Sequence, residues 1–275
     1  MYTINCKGKL LTTEIPLIMG IINASPDSFY NLPQHTNVST MLALADSMLT
    51  EGADILDIGG LSTKPNSTDI SVQQELDRTI PIIEAIHKAY PHCIVSIDTY
   101  KSEVAVAAIH AGVSMVNDIS AGEADEAMIP LVAAFKNIPY IAMHKRGNAL
   151  TMQFHTDYDN VLETVIAYFV KKIAQCKEAG ITDLIIDPGF GFAKTTMQNY
   201  ELLKNLQIFD ILAKPILVGL SRKSMVYKPL STTAEQALNG TTVLHTIALQ
   251  QGANILRVHD VKAAKEAVTL TQLLQ

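Results

Sequence analysis

Short apolar runs alternate along the chain with longer segments in which apolar residues recur every three or four positions. The short runs are apolar almost throughout, which is typical of strands buried on both faces of a parallel sheet. The longer segments have the periodicity of amphipathic helices. The predicted strands cover residues 16–23, 54–60, 93–98, 114–117, 139–144, 184–187, 215–219 and 254–258.

Each predicted strand is followed by a predicted helix, and several of these helices have recognisable ends. Ser71 and Gln74 have the spacing of a capping box, and so have Thr232 and Glu235. Glycine residues stand where several of the helices should stop. The predicted helices cover residues 41–51, 71–89, 102–111, 125–135, 158–179, 232–250 and 261–274, with one more beginning at 196.

Eight strand–helix units in 275 residues favour a (β/α)8 TIM barrel over an open doubly wound sheet. The crossovers between parallel strands should be right-handed. No linker or low-complexity tract divides the chain, so we expect a single domain over 1–275, with 1–16 as an N-terminal arm or hairpin.

Composition excludes several classes of function. Hydrophobic residues make up 48% of the chain and charged residues 17%, with a net charge of −6. Such a chain can bury a large core, but it lacks the clustered basic surface that binding nucleic acid requires. Three widely spaced cysteines fit neither a disulfide framework nor a zinc site. We find no signal-peptide pattern or apolar run of the ~18 residues that span a membrane, so we expect a cytoplasmic protein.

A polar residue stands at or just after the end of nearly every predicted strand. In a barrel, the loops at these strand ends build the active site. Helix capping explains some of these residues, but it explains poorly Asp57 and Asp98, which lie among apolar residues, or Arg257. We therefore interpret the set as one functional ring: Asn23, Asp57, Asp98, Asn117, His144, Asp187, Ser221 and Arg257.

The segment after the sixth strand combines an acid with a glycine turn. Asp187 ends the apolar run, and Gly189 and Gly191 allow positive φ angles or a close approach of the backbone to a ligand. Carboxylates here suit a flat heterocycle that bears several N–H donors. Cationic residues after strands seven and eight suit a small anion, because those loops are the usual phosphate site of TIM barrels.

Eight motifs carry a family resemblance. They are Asn23-Ala24-Ser25-Pro26-Asp27-Ser28-Phe29, Asp57-Ile58-Gly59-Gly60, Ser96-Ile97-Asp98-Thr99, Asn117-Asp118-Ile119, Met143-His144, Asp187-Pro188-Gly189-Phe190-Gly191-Phe192, Ser221-Arg222-Lys223-Ser224 and Arg257-Val258-His259-Asp260. In order and spacing, from about residue 17 to 275, they resemble the dihydropteroate synthases among the pterin-binding enzymes.

The resemblance implies a transferase of folate biosynthesis and a set of site residues. The expected reaction joins p-aminobenzoate to 6-hydroxymethyl-7,8-dihydropterin pyrophosphate and gives 7,8-dihydropteroate and pyrophosphate. The implied pterin site is Asp98, Asn117, Met143, Asp187, Phe190, Gly219 and Lys223. The implied pyrophosphate site is Asn23, Thr63, Arg257 and His259, with Asn23 as a ligand of Mg²⁺. The implied aminobenzoate site is Phe29, Thr63, Lys64, Pro65, Lys223 and Ser224.

The resemblance further implies that Asp98, Asp187, Lys223 and Arg257 are the catalytic residues. It also implies a homodimer and competition between sulfonamides and p-aminobenzoate. Two positions depart from the family pattern, because Lys64 replaces an arginine and Asn31 stands where an acid is expected. Two alternatives remain: a methyltetrahydrofolate–corrinoid methyltransferase on the same barrel, and a non-catalytic pterin-binding barrel.

Overall fold

Eight parallel strands form a closed barrel in the computed structural model, which describes residues 1–24, 34–61, 69–148 and 150–274. The strands are β3 (Leu17–Asn23), β4 (Ile55–Gly59), β5 (Ile94–Asp98), β6 (Met115–Asp118), β7 (Tyr140–Met143), β8 (Leu184–Asp187), β9 (Leu217–Val218) and β10 (Ile255–Val258). Their order in the sheet is β8-β7-β6-β5-β4-β3-β10-β9. A parallel bridge between Ile186 and Ile216 joins the two ends of this order. The predicted (β/α)8 barrel is confirmed.

Helices cover the outside of the barrel between consecutive strands. They are α1 (Gln34–Thr50), α2 (Val72–Ala89), α3 (Ser102–Ala111), α4 (Met128–Ala134), α5 (Val161–Ala179), α6 (Thr196–Lys204), α7 (Ser224–Tyr227), α8 (Leu238–Gln250) and α9 (Val261–Gln272). Two 3-10 helices, Met152–Phe154 and Leu206–Leu212, lie in the connections after β7 and α6. In the described ranges, none of the helices is long and apolar enough to cross a membrane.

One predicted capping box is confirmed and the other is wrong. The Ser71 side chain accepts a hydrogen bond from the N–H of Gln74, and the Gln74 side chain accepts from the N–H of Ser71. Thr232 caps no helix, because its N–H donates to the carbonyl of Tyr227 and keeps it in the turn after α7. Helix α8 begins only at Leu238, without a side-chain cap. The second capping box is instead Thr195–Gln198, at the start of α6.

The first residues of the chain form a separate antiparallel hairpin of β1 (Thr3–Cys6) and β2 (Lys9–Thr12). Ile4 and Cys6 of this hairpin are buried in the amino-terminal end of the barrel. They pack there with one inward-facing apolar cluster from all eight strands: Leu17, Met19, Ile55, Ile94, Met115, Ile141, Ile185, Leu217 and Ile255. The barrel is therefore filled with apolar side chains at this end.

The same inward-facing rows become polar toward the carboxyl ends of the strands. Side chains alternate across a strand with a period of two, so residues two or four positions beyond the apolar cluster also face the barrel axis. Those positions carry Asn23, Asp57, Ser96, Asp98, Asn117, Met143, Asp187, Gly219 and Arg257. The fold thus collects polar residues from distant parts of the chain above an apolar floor.

Candidate active site

Arg257 of β10 lies at the polar end of the barrel and bridges two carboxylates. Its Nε donates to Oδ2 of Asp57 at 2.6 Å, and one terminal nitrogen donates to Oδ2 of Asp98 at 2.5 Å. The Asn117 amide also donates to Oδ2 of Asp57, at 2.9 Å. Parallel pairing of β4 with β5, and of β5 with β6, sets these side chains beside one another. Four members of the predicted strand-end ring, Asp57, Asp98, Asn117 and Arg257, thus form one hydrogen-bonded cluster.

Burial and charge oppose each other in this cluster. Burial raises the pKa of Asp98 to about 7, although the Arg257 guanidinium acts to lower it. The negative charge of Asp57 adds to the increase. For Arg257, burial disfavours the cation, but the carboxylates of Asp57 and Asp98 outweigh it and raise its pKa. Arg257 is therefore a permanent cation, while Asp98 can release a proton when a ligand with N–H donors binds.

Asp187 ends β8 on the opposite side of the barrel and begins the loop that the sequence singled out. Its Oδ1 accepts a hydrogen bond from the N–H of Gly189 at 2.8 Å, and burial raises its pKa. Gly189 and Gly191 have φ angles of 73° and 81°, which confirms the predicted need for glycine. A Cβ on Gly189 would lie 2.0 Å from the carbonyl oxygen of His144, so no other residue fits there.

Lys223 reaches across from the loop after β9 to the loop after β8. Its Nζ donates to the carbonyl of Phe190 at 2.6 Å and lies 4.6 Å from the ring centroid of Phe192. Burial lowers the pKa of Lys223 to about 8, against the attraction of the Asp187 carboxylate. A Cβ on Gly219 would come within 3.8 Å of this Nζ and 3.9 Å of Cβ of Arg257. A Cβ at this position would thus make ordinary van der Waals contacts with both side chains.

The loops after β9 and β10 are joined by two side-chain contacts. Ser221 Oγ lies 3.0 Å from Nδ1 of the His259 ring and accepts a hydrogen bond from the backbone N–H of His259 at 3.2 Å. Arg222 donates to both oxygens of Asp260, at 2.9 and 2.6 Å. Partial burial, together with the cations of Arg257 and Arg222, lowers the pKa of His259. The His259 ring is thus a neutral hydrogen-bonding group beside Arg257 near pH 7.

The remaining predicted residues divide into three groups. Phe190 is fully buried and Met143 is 2% exposed; Cγ of Met143 would lie 3.3 Å from a Cβ on Gly189. Ser224 is half-buried at the start of α7, and Asn23 is the one exposed residue of β3. The predicted aminobenzoate residues Phe29, Thr63, Lys64 and Pro65, and the departure Asn31, lie outside the described residues.

Two residues of the site had no ligand-related role in the sequence analysis. Asp57 was recognised as a strand-end residue, and the structure shows that it holds both Arg257 and Asn117. Its position two residues beyond Ile55, in the inward-facing phase of β4, was the signal that could have assigned it. Lys194, within the glycine-rich segment, is 7% exposed. No local pattern separates a buried lysine from an exposed one.

The side chains of the site offer few ligands for a metal ion. No cluster of three or more His, Cys, Asp or Glu side chains suited to a metal is found in the ranges that the structure describes. Mg²⁺ commonly binds through one or two protein oxygens together with substrate phosphates and water. The exposed amide of Asn23 at the carboxyl end of β3 offers one such oxygen. The site therefore fits a Mg²⁺ ion that arrives with a phosphorylated substrate, rather than one held by the protein alone.

Comparison with known proteins shows which family the chain belongs to. A family model described as "Pterin binding enzyme" matches residues 19–259. The dihydropteroate synthase of Haemophilus influenzae is 40% identical over 267 residues, which cover 96% of this chain and 96% of that protein. The chain belongs to the dihydropteroate synthase family of pterin-binding enzymes.

Solved structures of this family superpose on nearly the whole chain. Xanthomonas albilineans dihydropteroate synthase with 4-aminobenzoic acid has a TM-score of 0.92 at 39% identity, covering 99% of this chain and 98% of that one. The same enzyme in complex with 7,8-dihydropteroate has a TM-score of 0.87 at 36% identity, with the same coverage. The family recognised from the eight sequence motifs is confirmed.

Proposed function

We propose that this chain is a transferase that condenses 6-hydroxymethyl-7,8-dihydropterin pyrophosphate with p-aminobenzoate and releases pyrophosphate. The observation that carries the proposal is the convergence of Asp98, Asn117, Asp187 and Lys223 on one barrel mouth, beside the cation of Arg257. The pocket thus offers acceptors for a pterin and, on its β10 side, a cation for an anionic leaving group.

Recognition of the pterin follows from the acceptors. Its guanidine-like edge can donate two parallel hydrogen bonds to a carboxylate, a pairing that gives both affinity and orientation. Asp187 is suited to this edge because the N–H of Gly189 holds its carboxylate in place. Asp98 and Asn117 lie across the barrel and can pair with the other ring nitrogens. Lys223 then lies at the side of the pocket nearest Phe190.

The bond-breaking step separates charge, and the site is arranged to stabilise both parts. As the bond between the pterin methylene and the pyrophosphate oxygen lengthens, positive charge develops on the pterin and negative charge on the leaving group. The carboxylates of Asp98 and Asp187 stabilise the first, and Arg257 and His259 stabilise the second. Asn23 would hold a Mg²⁺ ion, which would supply Lewis-acid stabilisation of the leaving group.

Arg257 changes partners in this scheme. In the structure its guanidinium pairs with Asp57 and Asp98. A pterin N–H that binds Asp98 replaces one of these bonds and frees that nitrogen for pyrophosphate. Asp57 keeps the other nitrogen in place, so the cation turns toward the anion without leaving the pocket.

The amine that attacks the methylene is neutral at pH 7, so it needs positioning more than deprotonation before the attack. We therefore assign no general base. Lys223 and Ser224 are the described residues that we place at the aminobenzoate, together with Phe29, Thr63, Lys64 and Pro65 from the sequence comparison. Formation of the C–N bond, followed by loss of one proton from the attacking nitrogen to solvent or to the released pyrophosphate, then gives 7,8-dihydropteroate.

The direct test supplies purified protein with the pterin pyrophosphate, p-aminobenzoate and Mg²⁺ and follows dihydropteroate by chromatography. We expect product only when all three are present. Pterin binding without product would favour the non-catalytic barrel instead. Methyl transfer from methyltetrahydrofolate to a corrinoid would favour the methyltransferase.

The role of Arg257 is tested by Arg257→Ala. We expect pyrophosphate binding to weaken far more than binding of free pterin, because the guanidinium is a partly exposed cation on the β10 side of the pocket. Calorimetry with each ligand separately measures the two effects. Equal losses for both ligands would contradict the assignment.

A second copy of this chain is the partner that we propose, at the outer face of α8. That helix carries no charged residue, and its outward side chains Val243 and Ile247 are 52% and 36% exposed. An uncharged surface helix is typical of a helix that another subunit covers. Sedimentation equilibrium should give a dimer for the wild-type protein and a monomer for Val243→Glu; a monomeric wild-type protein contradicts the proposal.

The three free thiols fit the cytoplasmic location that we propose.

A further inference from the structure

Lys194 is a buried lysine below the loop that follows β8, and nothing in the proposed reaction uses it. It is 7% exposed, and its Nζ faces four acceptors. Nδ1 of His144 and the carbonyl of Gly189 lie at 3.0 Å, the carbonyl of Phe192 at 3.1 Å and the carbonyl of His144 at 3.4 Å. In the part of the chain that the structure describes, Lys194 forms no ion pair with a carboxylate. An ammonium held mainly by neutral groups is costly to bury.

The four acceptors belong to two strand ends. Two of them come from His144, just after β7, and two come from the loop after β8. These strands are neighbours in the barrel, and the N–H of His144 also donates to the carbonyl of Asp187 at 3.0 Å. Gly189 packs so closely on the His144 carbonyl that a Cβ would lie 2.0 Å from it. The Lys194 amino group thus connects the glycine loop after β8 to the end of β7 through its hydrogen bonds.

The groups that this contact holds are those that line the pterin pocket. The N–H of Gly189 fixes the Asp187 carboxylate, and the carbonyl of Phe190, one residue later, accepts from Lys223. The Phe190 carbonyl lies between the two loop carbonyls that Lys194 binds, those of Gly189 and Phe192, and the Gly189 N–H belongs to the same residue as the first of them. A shift of the 189–192 backbone would therefore move the Asp187 acceptor and the Lys223 donor together.

We infer that Lys194 is a positioning residue for the pterin pocket, acting through the 189–192 backbone and His144 rather than by contact with substrate. This inference rests on the proposed function, because it concerns the same pterin site. The His144 ring suits the role: burial lowers its pKa to about 2, so the ring is neutral near pH 7, and Nδ1 accepts from Lys194 in the tautomer with its proton on Nε2. Edge-to-face packing on Tyr168, with centroids 4.9 Å apart, fixes the ring plane.

The experiment compares Lys194→Met with Lys7→Met. Lys7, in the amino-terminal hairpin, also donates from Nζ to a backbone carbonyl, that of Ile109 at 2.7 Å, at the end of the barrel away from the pocket. Calorimetry measures binding of 6-hydroxymethyl-7,8-dihydropterin and, separately, of inorganic pyrophosphate. Loss of the hydrogen bonds that hold the loop should raise the pterin Kd of Lys194→Met by about tenfold or more. The pyrophosphate Kd, and both constants in Lys7→Met, should change less than about twofold by the same scale.

Lys194→Gln supplies the conservative variant, since its amide keeps two N–H donors without the charge. It should recover part of the pterin affinity lost in Lys194→Met, which loss of fold stability alone would not predict. A pterin Kd in Lys194→Met within twofold of wild type, or equal losses for pterin and pyrophosphate, would overturn the inference. If both Lys194 variants are unfolded by circular dichroism, the residue serves folding and the inference is also overturned. Absence of pterin binding in the wild-type protein would instead reject the proposed function.

Discussion

Asp57 should contribute more to stability than any exposed carboxylate, and Asp57→Ala tests this directly. The side chain is fully buried, and its Oδ2 accepts from Arg257 at 2.6 Å and from Asn117 at 2.9 Å. Truncation removes a charge-assisted bond, worth about 1.5–3 kcal/mol, and leaves a buried amide donor unpaired, which costs about 1–3 kcal/mol.

Two effects reduce the sum. Asp98 remains as a partner of Arg257. Removing Asp57 also removes the negative charge that repels the Asp98 carboxylate and raises its pKa. The expected net loss is therefore about 3 kcal/mol, at the low end for breaking a buried ion pair. In a chain of this size the midpoint of thermal unfolding should fall by roughly 6–12 °C.

Urea unfolding followed by circular dichroism measures the loss, with Asp57→Asn as the matched variant. Its amide oxygen can take the place of Oδ2 and accept the same two bonds at neutral strength, so we expect it to lose only about 1–1.5 kcal/mol. Asp260→Ala breaks the half-exposed pair with Arg222 and should cost at most about 1 kcal/mol. A loss below about 1 kcal/mol in Asp57→Ala would refute the bridging role of Asp57, given the bond energies above.

Three further outcomes are expected. Gly189→Ala should abolish pterin binding, because the new Cβ would lie 2.0 Å from the carbonyl oxygen of His144. It should also destabilise the fold by well over the ~1 kcal/mol that alanine costs at a positive φ. Gly180→Ala, with open space around its Cβ, should cost only about 1 kcal/mol, and similar losses in the two variants would contradict the clash. Unfolding free energy should fall below pH 6.5, since burial lowers the pKa of His144 to about 2 and of His245 to about 4 while the unfolded chain takes up protons near 6.5. Each histidine lowers the free energy of unfolding by about 2 kcal/mol at pH 5. The raised pKa of Asp98, about 7, has the opposite effect on the free energy of unfolding. An unchanged pH slope in His245→Gln would contradict this account. Sulfonamides should compete with p-aminobenzoate in steady-state kinetics, and noncompetitive inhibition would argue against a shared pocket.

Prediction from sequence succeeded where local pattern decides structure and failed where neighbouring turns intervene. The eight strands were found because runs buried on both faces have a distinct composition. Thr232 and Glu235 had the spacing of a capping box, yet the turn after α7 holds Thr232 through the carbonyl of Tyr227. Helix α4 begins at Met128 rather than near 125, because the Asp125 side chain accepts from the N–H groups of Ser102 and Ala127.

The amino-acid sequence by itself determined the barrel, the strand-end ring of polar residues and the family, because each follows from residue types at fixed spacing. It also determined the glycine loop, since only glycine tolerates positive φ without strain. Only the tertiary structure decided which of these residues meet. Arg257 lies 200 positions from Asp57 and 159 from Asp98, and their contacts depend on the register of the closed sheet. The burial of Lys194 against His144 depends in the same way on two loops that fold over one another, so no local pattern records it.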